Sequence, residues 1–411
     1  MQADDLDQGQ PGWLTTHLDA WLTFMDGHKP NPFDQPADTT PFLGLHQNDY
    51  LRLSKHPEVL LSKEIANRRV GTGSVASLVF GADSGEHGKL GGKLRESLKT
   101  GDVILTTSGW CANVGLLEAV APADIPIYID KEAHASLWAG AQLSKGKAII
   151  VKHNDVEYLE KRIKRDGKGI VCIDAFYSTD GAVSDLKAYV ELCEKYNCFL
   201  VLDEAHSFGM IGPKGGGLAV GLGLEDRIAF RTVSLSKAIG GNGGFIAGSE
   251  KAIRFLRYRC HSIVFSSSPS ETNSAGHEAA LSILVREPER AQRCLSMASL
   301  FRNKLQAHGI PTGQSQCQIV SIIFNGPYTT SRLYKGMRSE GILFSAFAPP
   351  ATPAHQSFAR FSIHSDITEN DLSRAADVAA KCIRELELER YLVTEKRPGN
   401  TIPELGEHGQ G

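Results

Sequence analysis

The sequence predicts an α/β protein, with a mostly parallel central sheet followed by a smaller carboxyl-terminal α+β domain. Three observations lead to that class. Between about residues 57 and 268, short β-branched runs alternate with amphipathic stretches, the pattern of buried strands joined by helical crossovers. Beyond about 269, long helical stretches dominate and only two more apolar runs interrupt them. The 411-residue length, with 41% hydrophobic residues, suits two domains or one large domain with a smaller appendage.

Residues 1–56 read as an N-terminal helix and arm, the helix being the amphipathic piece around Trp13–Met25. Residues 57–268 form the large domain. Its candidate strands are Ala148–Val151, Ile170–Asp174, Cys198–Asp203 and Ile228–Val233. Asp185–Asn197 carries Leu186, Tyr189, Val190 and Cys193 at helical spacing, and Val114–Ala119 is a second helix. Gly88, Gly91 and Gly92 predict a weak helix after His87. Residues 269–393 form the small domain. It has a helical stretch to about His308, a strand at Gln318–Phe324, a helix near Ser331–Glu340, a strand at Phe358–Ile363 and a last helix from Glu369 to about Leu392. Residues 394–411 are polar, with Pro and Gly, and read as a disordered tail.

A net charge of −3 gives no electrostatic reason to expect nucleic acid or an anionic membrane. The basic run Lys161–Arg165 reads as the solvated face of a helix. Eight cysteines lie dispersed, none in a CxxC pair, so reduced core residues are expected and no metal site. Asp4, Asp5 and Asp7 stand where a secretion signal needs basic residues, and no apolar run is long enough to span a bilayer. A cytoplasmic protein is the expectation.

The chemistry concentrates in four segments. Val201–Gly209 ends an apolar strand on Asp203 and continues through Glu204 to His206, where open α/β sheets bind ligands. That ending also suits a nucleotide site or a metal ligand, but the chain has no GxxxxGK(S/T) phosphate loop. Ser234-Leu-Ser236-Lys237 precedes a run of glycines. A lysine in such a small-residue setting has its amine pushed toward the neutral form, and the hydroxyls of Ser234 and Ser236 can bind a phosphate. An aspartate at one strand end and a lysine at a later one are the two groups pyridoxal phosphate requires, a pyridinium partner and a Schiff-base amine. Thr107-Ser108-Gly109-Trp110 opens a helix whose N–H groups suit the phosphate. Asp130–Leu137 offers His134, whose ring can stack on a pyridine.

These segments resemble, in order and spacing, the α-oxoamine synthases, fold-type I pyridoxal-phosphate-dependent transferases. Asn48-Asp-Tyr-Leu51, Asp174–Gly181, Phe265–Pro269 and Ala359–Asp366 extend the resemblance over about residues 45–390. The wording around Ser108–Leu117 and His134–Gly140 is most similar to bacterial α-hydroxyketone autoinducer synthases. The resemblance implies that Lys237 carries the cofactor and moves the α-proton. Asp203 would pair with the ring nitrogen and His206 with the ring hydroxyl, while His134 stacks and Ser178 lies close by. Ser108, Gly109, Trp110, Ser234, Ser236 and, from a neighbouring subunit, Ser267 would hold the cofactor. Asn48 and Arg360 would receive the substrate carboxylate.

The implied reaction joins an amino acid to an acyl thioester, on coenzyme A or a carrier protein, with loss of carbon dioxide to give an α-aminoketone. A homodimer with shared sites is implied too. The Gly71–Gly81 loop departs from the family pattern, lacking the arginine usual near Val75 or Ala76, and Gly212–Gly217 lacks another. Both departures bear on substrate identity. An aminotransferase or an aldolase-type lyase needs the same lysine and aspartate. A non-catalytic partner subunit is the third reading, which the presence of Lys237, Asp203 and His206 disfavours.

Overall fold

The computed structural model describes residues 11–28, 42–71, 76–81, 84–349, 352 and 354–393. The expected tail at 394–411 lies outside the described residues. Among those described, eleven strands form two sheets. The strands are β1 (Leu43–Leu45), β2 (Asp102–Thr106), β3 (Pro126–Asp130), β4 (Lys147–Val151), β5 (Ile170–Asp174) and β6 (Phe199–Asp203). They continue with β7 (Phe230–Ser234), β8 (Gly244–Gly248), β9 (Ile319–Phe324), β10 (Ile342–Phe347) and β11 (Ser357–Ser362).

The larger sheet runs β2-β8-β7-β6-β5-β3-β4 and is parallel except for β8, which is antiparallel to both neighbours. Every residue of β5 is buried, as expected of a central strand with helices on both faces. The register aligns Asp174 with Asp203 and Asp203 with Thr232, so the carboxyl ends of β5, β6 and β7 lie side by side. This edge gathers the polar chemistry. The smaller sheet runs β1-β10-β11-β9, and β1 pairs parallel with β10.

The four strands expected in the large domain are present within two residues at each end. The helix expected at 114–119 starts at Gly109, which makes Ser108 its N-cap. The stretch expected to run unbroken to His308 is two helices, Glu271–Arg286 and Glu289–Ala307, separated at Glu287-Pro288. Proline has no N–H to give and disfavours helix in the residue before it. The last helix ends at Glu385, and a short 3₁₀ turn, Glu389–Tyr391, follows it. The weak helix expected after His87 is a full helix, Gly85–Leu98, that buries Leu90, Leu94 and Leu98. Burial of that apolar stripe offsets the propensity cost of its glycines.

Two apolar clusters underlie the sheets. Helix Glu271–Arg286 packs on helices Pro57–Val70 and Gly85–Leu98, and its Ala280, Leu281, Ile283 and Leu284 belong to the larger cluster. Met297, Phe301 and Leu305 of the next helix belong to the smaller. We propose that the two units meet within Glu289–Ala307 rather than at residue 269. Strand β1 likewise joins residues of the expected N-terminal arm to the small sheet. No described helix is long and apolar enough to cross a membrane.

Candidate active site

Strand β6 delivers Asp203 to the sheet edge, where both its oxygens accept neutral N–H donors. Asn113 Nδ2 donates to Oδ2 at 2.6 Å and the Ala205 N–H to Oδ1 at 2.9 Å. Three residues on, His206 is buried, with Nδ1 2.8 Å from the hydroxyl of Tyr50 and its carbonyl accepting from Gln318 Nε2 at 2.7 Å. Burial, then the positive charges of Lys237 and Arg360, push the His206 imidazole well below its usual pKa. This ring is neutral at neutral pH.

Lys237 follows β7 in the turn Leu235–Gly243, closed by the Leu235 N–H donating to the Gly243 carbonyl at 3.0 Å. Burial, then the charge of Arg360, lowers its ammonium to about 8, with Asp203 opposing. A useful fraction of the amine is therefore unprotonated near neutral pH. Ser234 and Ser236 lie 2.8 Å apart, oxygen to oxygen, just before it.

The Gly109–Val120 helix abuts this turn. A Cβ on Gly109 would stand 2.7 Å from Ser234 Cβ, and one on Gly244 would stand 2.6 Å from Gly109 N. Only glycine permits this approach of helix start to strand ends. The Ser108 hydroxyl accepts from Cys111 N at 3.1 Å, capping the helix. Its first N–H groups, on Gly109 and Trp110, thus open beside Ser234 and Ser236, an arrangement suited to a phosphate.

His134 caps the Ala135–Leu143 helix, and its N–H donates to Asp174 Oδ1 at 3.2 Å. Trp110, half exposed, meets the His134 ring edge-on at 6.3 Å. Ser178 enters through its backbone: its carbonyl accepts from Arg360 Nη1 at 3.0 Å. Arg360 Nη2 donates to Asn48 Oδ1 at 3.1 Å, while the buried Nε has no hydrogen-bond partner. Arg360 is 7% exposed, and its guanidinium contacts only neutral oxygens in these bonds. A buried cation so placed suits a carboxylate ligand.

Ser267 is not brought to this group. It bridges to Ser77, and the N–H of Ser268 donates to Ala76 at 2.9 Å. No hydrogen bond joins Ser267 to Ser108, Ser234 or Ser236 among the described residues. Sequence reasoning missed Tyr50, Asn113, Ser136 and Thr232 as site residues. Tyr50 and Asn113 stand inside quoted motifs, but only the fold reveals that Tyr50 links Asn48 (3.1 Å) to His206.

The residues present fit pyridoxal phosphate: a glycine-lined phosphate cradle, a carboxylate free of any cation in its hydrogen bonds, and a lysine amine biased toward neutrality. Comparison with known proteins agrees. Residues 40–378 match the family described as aminotransferase class I and II. A CAI-1 autoinducer synthase of Vibrio campbellii is 31% identical over 84% of this chain and 88% of its own. An 8-amino-7-oxononanoate synthase of Lysinibacillus sphaericus is 30% identical over 84% of this chain and 90% of its own. The solved serine palmitoyltransferase of Sphingomonas wittichii shares the fold, with a TM-score of 0.82 at 22% identity, covering 93% of this chain and 99% of that one. The chain therefore belongs to the aminotransferase class I and II family, and within it to the α-oxoamine synthases, enzymes that depend on pyridoxal 5′-phosphate.

Proposed function

We propose that the protein condenses an amino acid with an acyl thioester, releasing carbon dioxide and free thiol and yielding an α-aminoketone. The observation that carries this reading is Arg360, a buried guanidinium whose Nε has no partner and whose charge acts on Lys237. An amino acid's carboxylate completes that arrangement and brings the α-carbon toward the lysine amine.

When bound, pyridoxal phosphate withdraws electron density from the bond broken at the α-carbon. In this reading the remaining work falls to side chains. Lys237 Nζ anchors the cofactor and accepts and returns the α-proton, a role its lowered pKa suits. Asp203 would pair with the ring nitrogen and provide a negative charge where positive charge is held. His206, neutral and fixed by Tyr50, would hold the ring hydroxyl; His134 would lie against the ring, with Ser178 near it. Gly109, Trp110, Ser108, Ser234 and Ser236 bind the phosphate. Arg360 and Asn48 grip the substrate carboxylate.

Ser267 completes the phosphate site of a second copy. Phe80 and Phe265, 83% and 81% exposed, flank the Ser77–Ser267 bridge and form an apolar surface for that contact. Sedimentation of the purified protein as a dimer is the expected outcome, and a monomer with full activity contradicts it.

The reaction is tested by supplying amino acids with acyl-coenzyme A thioesters of graded chain length. Equal release of thiol and carbon dioxide supports the condensation. Release of a keto acid without thiol assigns an aminotransferase, and an aldehyde without thiol assigns a lyase.

A further inference from the structure

We propose that Asn113 is a positioning residue whose side chain fixes the carboxylate of Asp203 and, through Ser136, the proton of His134. The inference deepens the proposed function and rests on Asp203 and His134 both facing the cofactor ring.

Asn113 is fully buried in the Gly109–Val120 helix, and its amide meets three elements at once. Thr232 Oγ1, on β7, donates to Oδ1 at 2.6 Å. Nδ2 donates to Asp203 Oδ2, on β6, at 2.6 Å and to Ser136 Oγ at 2.8 Å. Both amide hydrogens are spent, so the group cannot turn over. The flipped amide would set its oxygen against a carboxylate oxygen, two acceptors facing each other in a dry interior. Close helix packing makes the contact possible, since a Cβ on Gly140 would sit 3.0 Å from the Asn113 carbonyl.

The direction of donation then propagates. Ser136 Oγ accepts from Asn113, so it directs its own hydrogen to the nearest acceptor, His134 Nδ1, at 2.6 Å. The Ser136 N–H also points at Nδ1, from 3.3 Å. With two donors aimed at Nδ1, that nitrogen is bare and the His134 proton sits on Nε2. Thr232, Asn113 and Ser136 are thus one directional circuit with two outputs: an oriented carboxylate and a histidine held in one tautomer. Thr232 and Ser136 are 0% exposed, which shields the circuit from water.

Long-range ¹H–¹⁵N spectra of histidine-labelled protein test this, recorded before and after pyridoxal phosphate is added. The His134 signals are assigned by their loss in His134→Gln. The wild type is expected to show a bare Nδ1 and a protonated Nε2 in both states. Ser136→Ala is expected to yield a mixture of tautomers. Asn113→Ser is expected to do the same and to weaken cofactor binding about tenfold, more than Ser136→Ala does. In the double variant the tautomer ratio should equal that of Ser136→Ala alone, because the two residues act in series. Protonated Nδ1 in the wild type, or an unchanged tautomer in Ser136→Ala, overturns the proposal. The spectra of cofactor-free protein do not depend on the reaction catalysed, so they separate this inference from the proposed function.

Discussion

Two buried histidines lie at the carboxyl edge of the large sheet and titrate in opposite directions. His153 follows β4. Its Nδ1 is 3.0 Å from Asp130 Oδ1, and its Nε2 makes an ion-pair contact of 3.3 Å with Asp180 Oδ2 without a well-aligned N–H. Tyr177 donates to the other oxygen of Asp130 at 2.9 Å and meets the His153 ring edge-on. Burial alone would lower the pKa of His153, but the two carboxylates outweigh it and raise it to about 10. His206 has comparable burial and no carboxylate against it; burial, then the charges of Lys237 and Arg360, drives its proton away. One region sets its cation between two carboxylates and is left with a negative excess. The other gathers positive charge around a lysine, which is what a binding site for two anionic ligands requires.

The difference can be broken from either side. Lys237→Ala is the largest change for function: the proposed condensation should fall about a thousandfold or more, since the proposed anchoring and proton transfer are both lost. Because Lys237 is buried and lies in the field of the Arg360 charge, the cofactor-free variant should unfold at an equal or higher denaturant concentration than wild type. A large loss of stability would contradict the uncompensated site. His153→Ala is the counterpart. It strands two buried carboxylates and should cost about 3–5 kcal/mol in urea unfolding, while the folded fraction keeps its bound cofactor.

Arg360→Lys comes next. A lysine cannot reproduce the two-pronged geometry, so the amino-acid KM should rise roughly 10- to 100-fold with a smaller change in kcat, an estimate of about 1.4–3 kcal/mol of lost binding. Equal KM values would move the carboxylate site elsewhere.

The pH dependence sharpens the contrast further. The folded pKa of His153 is raised above the unfolded value of 6.5, so the native state holds an extra proton in between. Its stabilisation is complete below about pH 6.5 and is lost as pH rises toward 10. Lys237, lowered from 10.5 to about 8, acts in the opposite sense over the upper part of that range. Unfolding curves are best compared in the Lys237→Ala background, where stability should decline steadily from pH 6.5 to 10. For His206 the sign reverses: its folded pKa is lowered, and stability falls as pH drops below 6.5. The smallest effect expected is that of Thr368→Ala. It removes the capping box at the start of helix Glu369–Glu385 and should cost about 1 kcal/mol with unchanged turnover.

The four strands anticipated in the large domain are those with β-branched or aliphatic runs, such as Ile170-Val-Cys-Ile. Strand β8, Gly244-Phe-Ile-Ala-Gly248, was hidden because glycines bound it, although close approach to Ser108 and Gly109 demands glycine at 244. Strand β1 is three residues long and exists only through pairing with β10, some 300 positions away, which no local pattern encodes. In the site, Lys237, Asp203 and His206 were legible because each ends or follows a strand in a distinctive setting. Asn113 and Tyr50 were legible only as letters of motifs. Their importance lies in which neighbours they reach, and Asn113 acquires Thr232, Ser136 and Asp203 from three separate elements. The double carboxylate around His153 was not anticipated: Asp130 and Asp180 are 50 positions apart and meet only at the sheet edge.

The most direct test of the account is where the cofactor becomes attached. Wild-type protein loaded with pyridoxal phosphate, reduced with borohydride and digested, should yield one labelled peptide, with the added mass on Lys237. The Lys237→Ala protein treated alike should yield none. A label on another lysine, or a loaded and active wild type that carries no label, would contradict the assignment of this site.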